Sequence, residues 1–171
     1  MGELADRVET MRVRATAPDG SLTAELYDRD QLTLTFHNDY YRQCDDDDLG
    51  RRLAAVASLL WVARTREYER IYSDVTGDYS TGEGPPATER ERDWRAERDA
   101  IEAHGASEDG RVRVRAVGLR NWTVTIRPGT TRTLDEQQFI AAAGQAAGAL
   151  IRDQFTRLAA LSNKYYGNDQ P

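Results

Sequence analysis

The chain has 171 residues, 39% of them hydrophobic and 30% charged, with a formal net charge of −6. That is the profile of a soluble globular protein with a core that can cover about two-thirds of its unfolded surface. The acidic balance argues against nucleic-acid binding as a default, because a basic surface supplies most of that affinity. A single cysteine, Cys44, excludes an intramolecular disulfide and a cysteine-based zinc site.

Met1–Thr10 is charged and has no apolar core, so no cleavable signal is expected there. Cytoplasmic synthesis is expected, with signal-less export left open. Leu4, Val8 and Met11 stand at i, i+4 and i+7 and predict a short amphipathic helix. Arg12–Ala17 alternates as a strand. Pro18-Asp19-Gly20 is turn chemistry. Ser21–Tyr27 follows, with Leu22, Ala24 and Leu26 on one face. Asp28-Arg29-Asp30 turns the chain into a third strand at Gln31–His37, completing an antiparallel meander.

Asp45-Asp46-Asp47-Asp48 has two readings. One is a cation site. The other is a helix start, with Asp45 as N-cap and acids in the first turn facing the helix dipole. Calcium loops need alternating ligands and a glycine at the turn, which this run lacks. Leu49, Leu53, Val56, Leu60 and Ala63 form the apolar stripe of a helix predicted to reach about Tyr72. Ser73–Thr88, rich in Gly, Ser, Thr, Asp and Pro, reads as a linker.

Glu89–Ala103 is predicted as a charged helix that stops at His104-Gly105. Arg111–Val117 alternates strictly and predicts a strand, with Trp122–Arg127 as its partner. Pro128-Gly129 turns. Asp135 with Gln138 makes a capping-box start to a last helix, whose stripe is Phe139, Ala143, Ala146, Leu150 and Leu158. Ala142, Gly144, Ala146, Ala147, Gly148 and Ala149 leave that helix nearly bare, so a helix or a sheet can approach it closely. Its apolar run, Phe139–Ile151, is short and holds Gly144, Gln145 and Gly148. It reads as a buried helix and no membrane partner is expected.

The same order of elements occurs twice, ninety residues apart. Asp19–Tyr72 aligns without a gap on the later copy, with 8 of 54 positions identical, so pattern and not identity carries the repeat. The fold expected is α+β, two α-β-β-β-α units forming a pseudo-symmetric pair. The units span residues 1–72 and 89–171, with the linker at 73–88. The chain would be a monomeric pseudo-dimer, or a homodimer if exposed strand edges pair between chains.

Asp109-Gly110-Arg111-Val112-Arg113-Val114, Thr123-Val124-Thr125-Ile126, Leu134-Asp135 and the helix from Phe139 to Phe155 together resemble the YbaB/EbfC family. The second unit matches better than the first. The resemblance implies a dimer fused into one polypeptide. It also implies either nucleoid-associated DNA binding or, as in divergent actinobacterial relatives, a link with type VII (ESX) secretion.

Two histidines, His37 and His104, lack a nucleophile or carboxylate at motif spacing, and no phosphate loop, HExxH or GxSxG occurs. No enzyme, cofactor or metal is expected. A Cys44–His37 pair in space is weighed against Cys44 as a small buried hydrophobe. Arg111, Arg113 and Arg115 share one strand face about 7 Å apart along the strand, with Arg120, Arg127 and Arg132 near in sequence. They read as an anion-binding surface, or as a solvated face balanced by acids such as Glu25. Trp122 could stack on a ligand there or pack in the core. Tyr165 and Asp169 fit a Y-x-x-x-D export signal of type VII substrates, or simply a helix end with Tyr165 packed and Gly167 capping. The expected function is non-enzymatic binding, first as a protein-binding adaptor or chaperone-like factor, alternatively as a nucleoid-associated DNA-binding protein using the arginine face.

Overall fold

A computed structural model describes residues 2–80 and 82–167. Helix α1 (Glu3–Glu9) leads into strands β1 (Val13–Thr16), β2 (Leu22–Tyr27) and β3 (Gln31–Phe36), one turn of helix α2 (Tyr40–Gln43), and the long helix α3 (Asp46–Thr76). The order then repeats with α4 (Glu89–Asp99), β4 (Glu102–Ala106), β5 (Val112–Val117), β6 (Asn121–Ile126), α5 (Thr130–Thr133) and α6 (Glu136–Tyr166). Two antiparallel three-stranded sheets result, ordered β1-β2-β3 and β4-β5-β6. The fold is α+β.

The predicted helix from Glu89 to Ala103 is corrected. Helix α4 ends at Asp99, and Glu102–Ala106 is a strand whose Ala103 is fully buried against Ala116. Pairing along β5 and packing under α6 outweigh the weak strand propensity of Glu-Ala-His-Gly-Ala. Gly105 is part of that strand and not a helix cap. A Cβ at this position would lie 2.1 Å from the Ala146 carbonyl oxygen, so only glycine lets α6 come this close.

Both long helices start as their sequences require. Asp45 accepts a hydrogen bond from the Asp48 N–H at 2.7 Å. Asp135 and Gln138 form a reciprocal capping box. Helix α3 runs four residues past Tyr72 and ends where Gly77 adopts a left-handed φ of 74°. The segment after it is fastened back onto α4: Glu83 pairs with Arg98 at 2.5 Å, and the Gly84 carbonyl accepts from Arg95.

Each long helix packs on two strands of its own unit and on the last strand of the other. Helix α3 lies against β1, β2 and β6, and α6 lies against β4, β5 and β3. Small residues make the crossings. A Cβ on Gly144 would sit 3.0 Å from the Leu32 carbonyl oxygen, and one on Gly50 would sit 2.7 Å from that of Val124. One hydrophobic core therefore draws on both units: Leu22, Leu34, Leu49 and Val56 from the first, Val112, Ile126, Phe139 and Ala146 from the second. Phe36 and Tyr41 meet Phe139 with ring centroids 6.1 and 5.4 Å apart. Completely burying Phe139 contributes roughly 2–3 kcal/mol.

Polar ties cross the same junction. The Tyr41 hydroxyl donates to the Leu134 carbonyl at 2.7 Å. Asp46 accepts from the N–H groups of Gly129 and Thr131 at 2.8 and 3.0 Å. Burial alone would raise the Asp46 pKa, but those two donors outweigh it and hold the carboxyl below its usual range. The aspartate run is thus employed in structure: Asp45 caps, Asp46 crosses to the second unit, and Asp48 pairs with Arg51 and Arg52.

Candidate partner-binding surfaces

Alternation along β5 turns Val112 and Ala116 inward and Arg113 and Arg115 outward. The arginines do not form one bare cationic row. Arg115 donates to Glu102 at 2.6 Å, and His104 lies 3.1 Å from the same carboxylate. Arg111 sits 3.7 Å from Asp109. Arg113, between Ala106 and Thr125 in register, is exposed with no hydrogen bond or ion pair among the described residues. Arg127 follows β6 and acts electrostatically on Asp109. Arg132 lies in α5, where its charge lowers Asp46, and Arg120 lies in the turn at the opposite end of the sheet.

The acid opposing Arg115 is Glu102, not Glu25. Glu25 belongs to the first sheet and is held there by Arg12 and by Arg14, the latter at 3.2 Å. Arg14 is its direct cross-strand partner. Of the four arginines on or beside this face, Arg111 and Arg115 have an acid partner and Arg113 and Arg127 form no ion pair among the described residues.

The other sequence candidates fall as follows. Tyr165 donates to Glu97 at 2.5 Å, a bond that pushes its pKa up to about 12, and Lys164 pairs with the same carboxylate. The Gly167 N–H closes the helix on Asn163. Asp169 lies outside the described residues. Cys44 and His37 do not pair: the thiol donates to the Tyr41 carbonyl at 3.3 Å, while His37 Nε2 lies 2.9 Å from Thr23 Oγ1. Burial pushes the Cys44 thiol up to about 11. Trp122 is half-buried, donates to the Leu119 carbonyl at 3.0 Å and meets Trp61 with centroids 6.4 Å apart, so it packs rather than standing free to stack.

A surface that neither unit shows alone lies between the second half of α3 and the β5–β6 turn. Its groove has a volume of about 970 Å³. Trp61, Val62, Tyr68 and Tyr72 of α3 form one wall, and Gly118, Leu119 and Arg120 form the other. Asp78, Ser80, Gly82, Glu83 and the Arg98-Asp99 end of α4 close one side, and Gln154 and Leu158 of α6 also line it. Gln154 is 6% exposed, and its Oε1 has no hydrogen-bond partner.

The equivalent junction on the other side, between α6 and the β2–β3 turn, is bridged. Arg152 pairs with Asp30 at 2.9 Å, and the Arg29 guanidinium lies 4.7 Å from the Phe155 ring centre. Ninety residues away these four positions hold Val62, Arg120, Leu119 and Thr65. None of those residues can rebuild either bridge, so the second junction stays open.

Among the described residues no group of three or more His, Cys, Asp or Glu is placed to hold a metal ion. No helix among them is long and apolar enough to cross a membrane. Comparison with family models, curated proteins and solved structures finds no match.

Proposed function

We propose that this chain is a non-enzymatic protein-binding module, an adaptor or chaperone-like factor. One observation carries the reading. Of the six exposed large hydrophobic side chains among the described residues, three, Val62, Tyr68 and Tyr72, lie in the second half of α3 and line the groove. Apolar side chains gathered at a groove mark an interaction site, whereas the same residues scattered singly would need no explanation. The pairing of Arg111 and Arg115 with acids points the same way, since a duplex-binding surface draws its affinity from uncommitted cations.

The DNA reading retains one support, the exposed pair Arg113 and Arg127. A gel-shift series with random duplex DNA over a range of salt decides between the two. The expected result is no retardation even at low salt. Micromolar binding that weakens steeply with salt, and that disappears when Arg111, Arg113 and Arg115 are neutralised together, would overturn the protein-binding reading. Association with a type VII secretion system rests on the YbaB/EbfC resemblance alone. Co-purification from the native host tests it, with recovery of secretion components as the outcome that supports it.

A further inference from the structure

We infer that the apolar cavity where the two units meet is a binding site for a small uncharged molecule of hydrocarbon character. This site is separate from the protein-binding surface and does not depend on it.

The cavity has a volume of about 80 Å³. Its lining comes in equivalent pairs. Leu34, Leu53 and Leu60 of the first unit line it, and so do Val124, Ala143 and Leu150, the residues ninety positions later. None of the lining residues is exposed, and most are buried. Natural interiors keep few voids larger than a water molecule, and each one destabilises in proportion to its volume. The repeat itself holds a side chain that would fill this one. Leu53 stands in the first unit where Ala143 stands in the second.

The chemistry of the walls selects the occupant. Every lining side chain is aliphatic or an indole. The only polar side-chain atoms among them are the N–H groups of Trp61 and Trp122, and the second already donates to the Leu119 carbonyl at 3.0 Å. A buried water needs two to four polar partners, so water is a poor occupant. A charged or strongly hydrogen-bonding molecule would leave its polar groups unsatisfied. An apolar molecule loses nothing on leaving water and regains the dispersion contacts that the facing side chains lack. The volume sets the size. A cavity of roughly 150 Å³ lined by Leu, Ile and Phe takes benzene or xenon. This one is about half as large and suits a more compact body, a xenon atom or a three-carbon hydrocarbon. Trp61 lines both this cavity and the groove outside, so its half-buried indole stands between the cavity and solvent. Rotation of that side chain is the route of entry.

The test is a xenon titration of the intact chain under gas pressure, followed by methyl and indole NMR. The expected result is saturable shifts at Leu34, Val56, Leu60, Val112 and Leu150 and at the Trp61 indole. Ile71 and Leu161, buried but outside the lining, should not move. Cyclopropane should displace the xenon, and methanol, as small but polar, should not. Ala143→Leu gives the second unit the residue of the first and should weaken xenon binding about tenfold or more. Ala147→Val adds two methyl groups at a half-buried lining position and should do the same if the leucine variant fails to fold. Wild-type shifts that do not saturate, or that spread evenly to Ile71 and Leu161, would overturn the site. So would displacement by methanol as readily as by cyclopropane, or a folded, filled variant that binds xenon as the wild type does.

Discussion

Glu25 and Arg115 occupy the same place in the two sheets and carry opposite charges. Each sits at the centre of the middle strand, and each bridges to the start of the neighbouring first strand, Glu25 to Arg12 and Arg115 to Glu102. Arg12 and Glu102 are themselves equivalent, so the bridge is kept and its sign is inverted.

That inversion gives a clear expectation for the first sheet. Glu25→Arg alone places a third guanidinium beside Arg12 and Arg14 and should lower the melting temperature. Adding Arg12→Glu recreates the arrangement of the second sheet and should restore most of the loss. Thermal melts of the single and double variants check this; equal melting of the two would show that the bridge has no energetic role.

The tie from Asp46 to Gly129 and Thr131 should be worth more than any bridge on the outer faces, because its two donors are backbone amides at a half-buried junction. Asp46→Asn removes the charge from both bonds and should cost about 1–3 kcal/mol by urea denaturation. The pH dependence has a definite sign. The folded pKa of Asp46 is depressed, so its contribution is fully present above the unfolded value of about 3.9 and fades as pH falls through the folded one. The stability gap between wild type and variant should be constant near neutrality and shrink below about pH 4. A gap that persisted into strong acid would show that the carboxylate charge is not what matters.

Two glycines should respond unequally to alanine. Gly105→Ala drives a methyl to within 2.1 Å of the Ala146 carbonyl and 2.5 Å of the Leu150 nitrogen, both helix backbone. The expected loss is about 3 kcal/mol or more, or no folded protein at all. Gly144→Ala meets the Leu32 carbonyl at 3.0 Å, a contact relieved by a small shift, and gains about 1 kcal/mol of helix propensity. Its denaturation midpoint should stay close to that of the wild type. Similar losses in the two variants would contradict the close packing of α6 on β4.

Cys44 should be chemically quiet. Raising the thiol pKa from 9.0 to about 11 lowers its thiolate fraction at neutral pH about 100-fold. Reaction with a disulfide reagent should be at least about tenfold slower in the folded chain than in urea. Rapid modification of the native protein would mean that Cys44 is neither buried nor apart from an activating base.

Much of the fold was legible because the repeat sets its own register. Leu22–Tyr27 and Val112–Val117, Gln31–Phe36 and Asn121–Ile126, and the two long helices all recur at a spacing of ninety. Strand β4 was hidden, because Glu-Ala-His-Gly-Ala follows a charged helix and lacks β-branched residues. Shifting β1 by the repeat spacing would have found it. The bare face of α6 was visible in Gly144 and Gly148, but not that its occupants would be the Leu32 and Asp30 backbone of the other unit. The arginine row was visible too, and the pairing of Arg115 was not, because Glu102 lay in a segment read as helix.

By itself the sequence determined the local elements, their caps and their duplication, since these depend on periodicity and on residues three or four apart. Tertiary structure alone decided which helix covers which strand, and therefore that Val62 and Arg120 line one groove where Arg152 and Asp30 close the other junction. Those residues are 58 and 122 positions apart in the chain. No propensity links them; they meet because each long helix buries its apolar stripe partly on its own sheet and partly on its neighbour's.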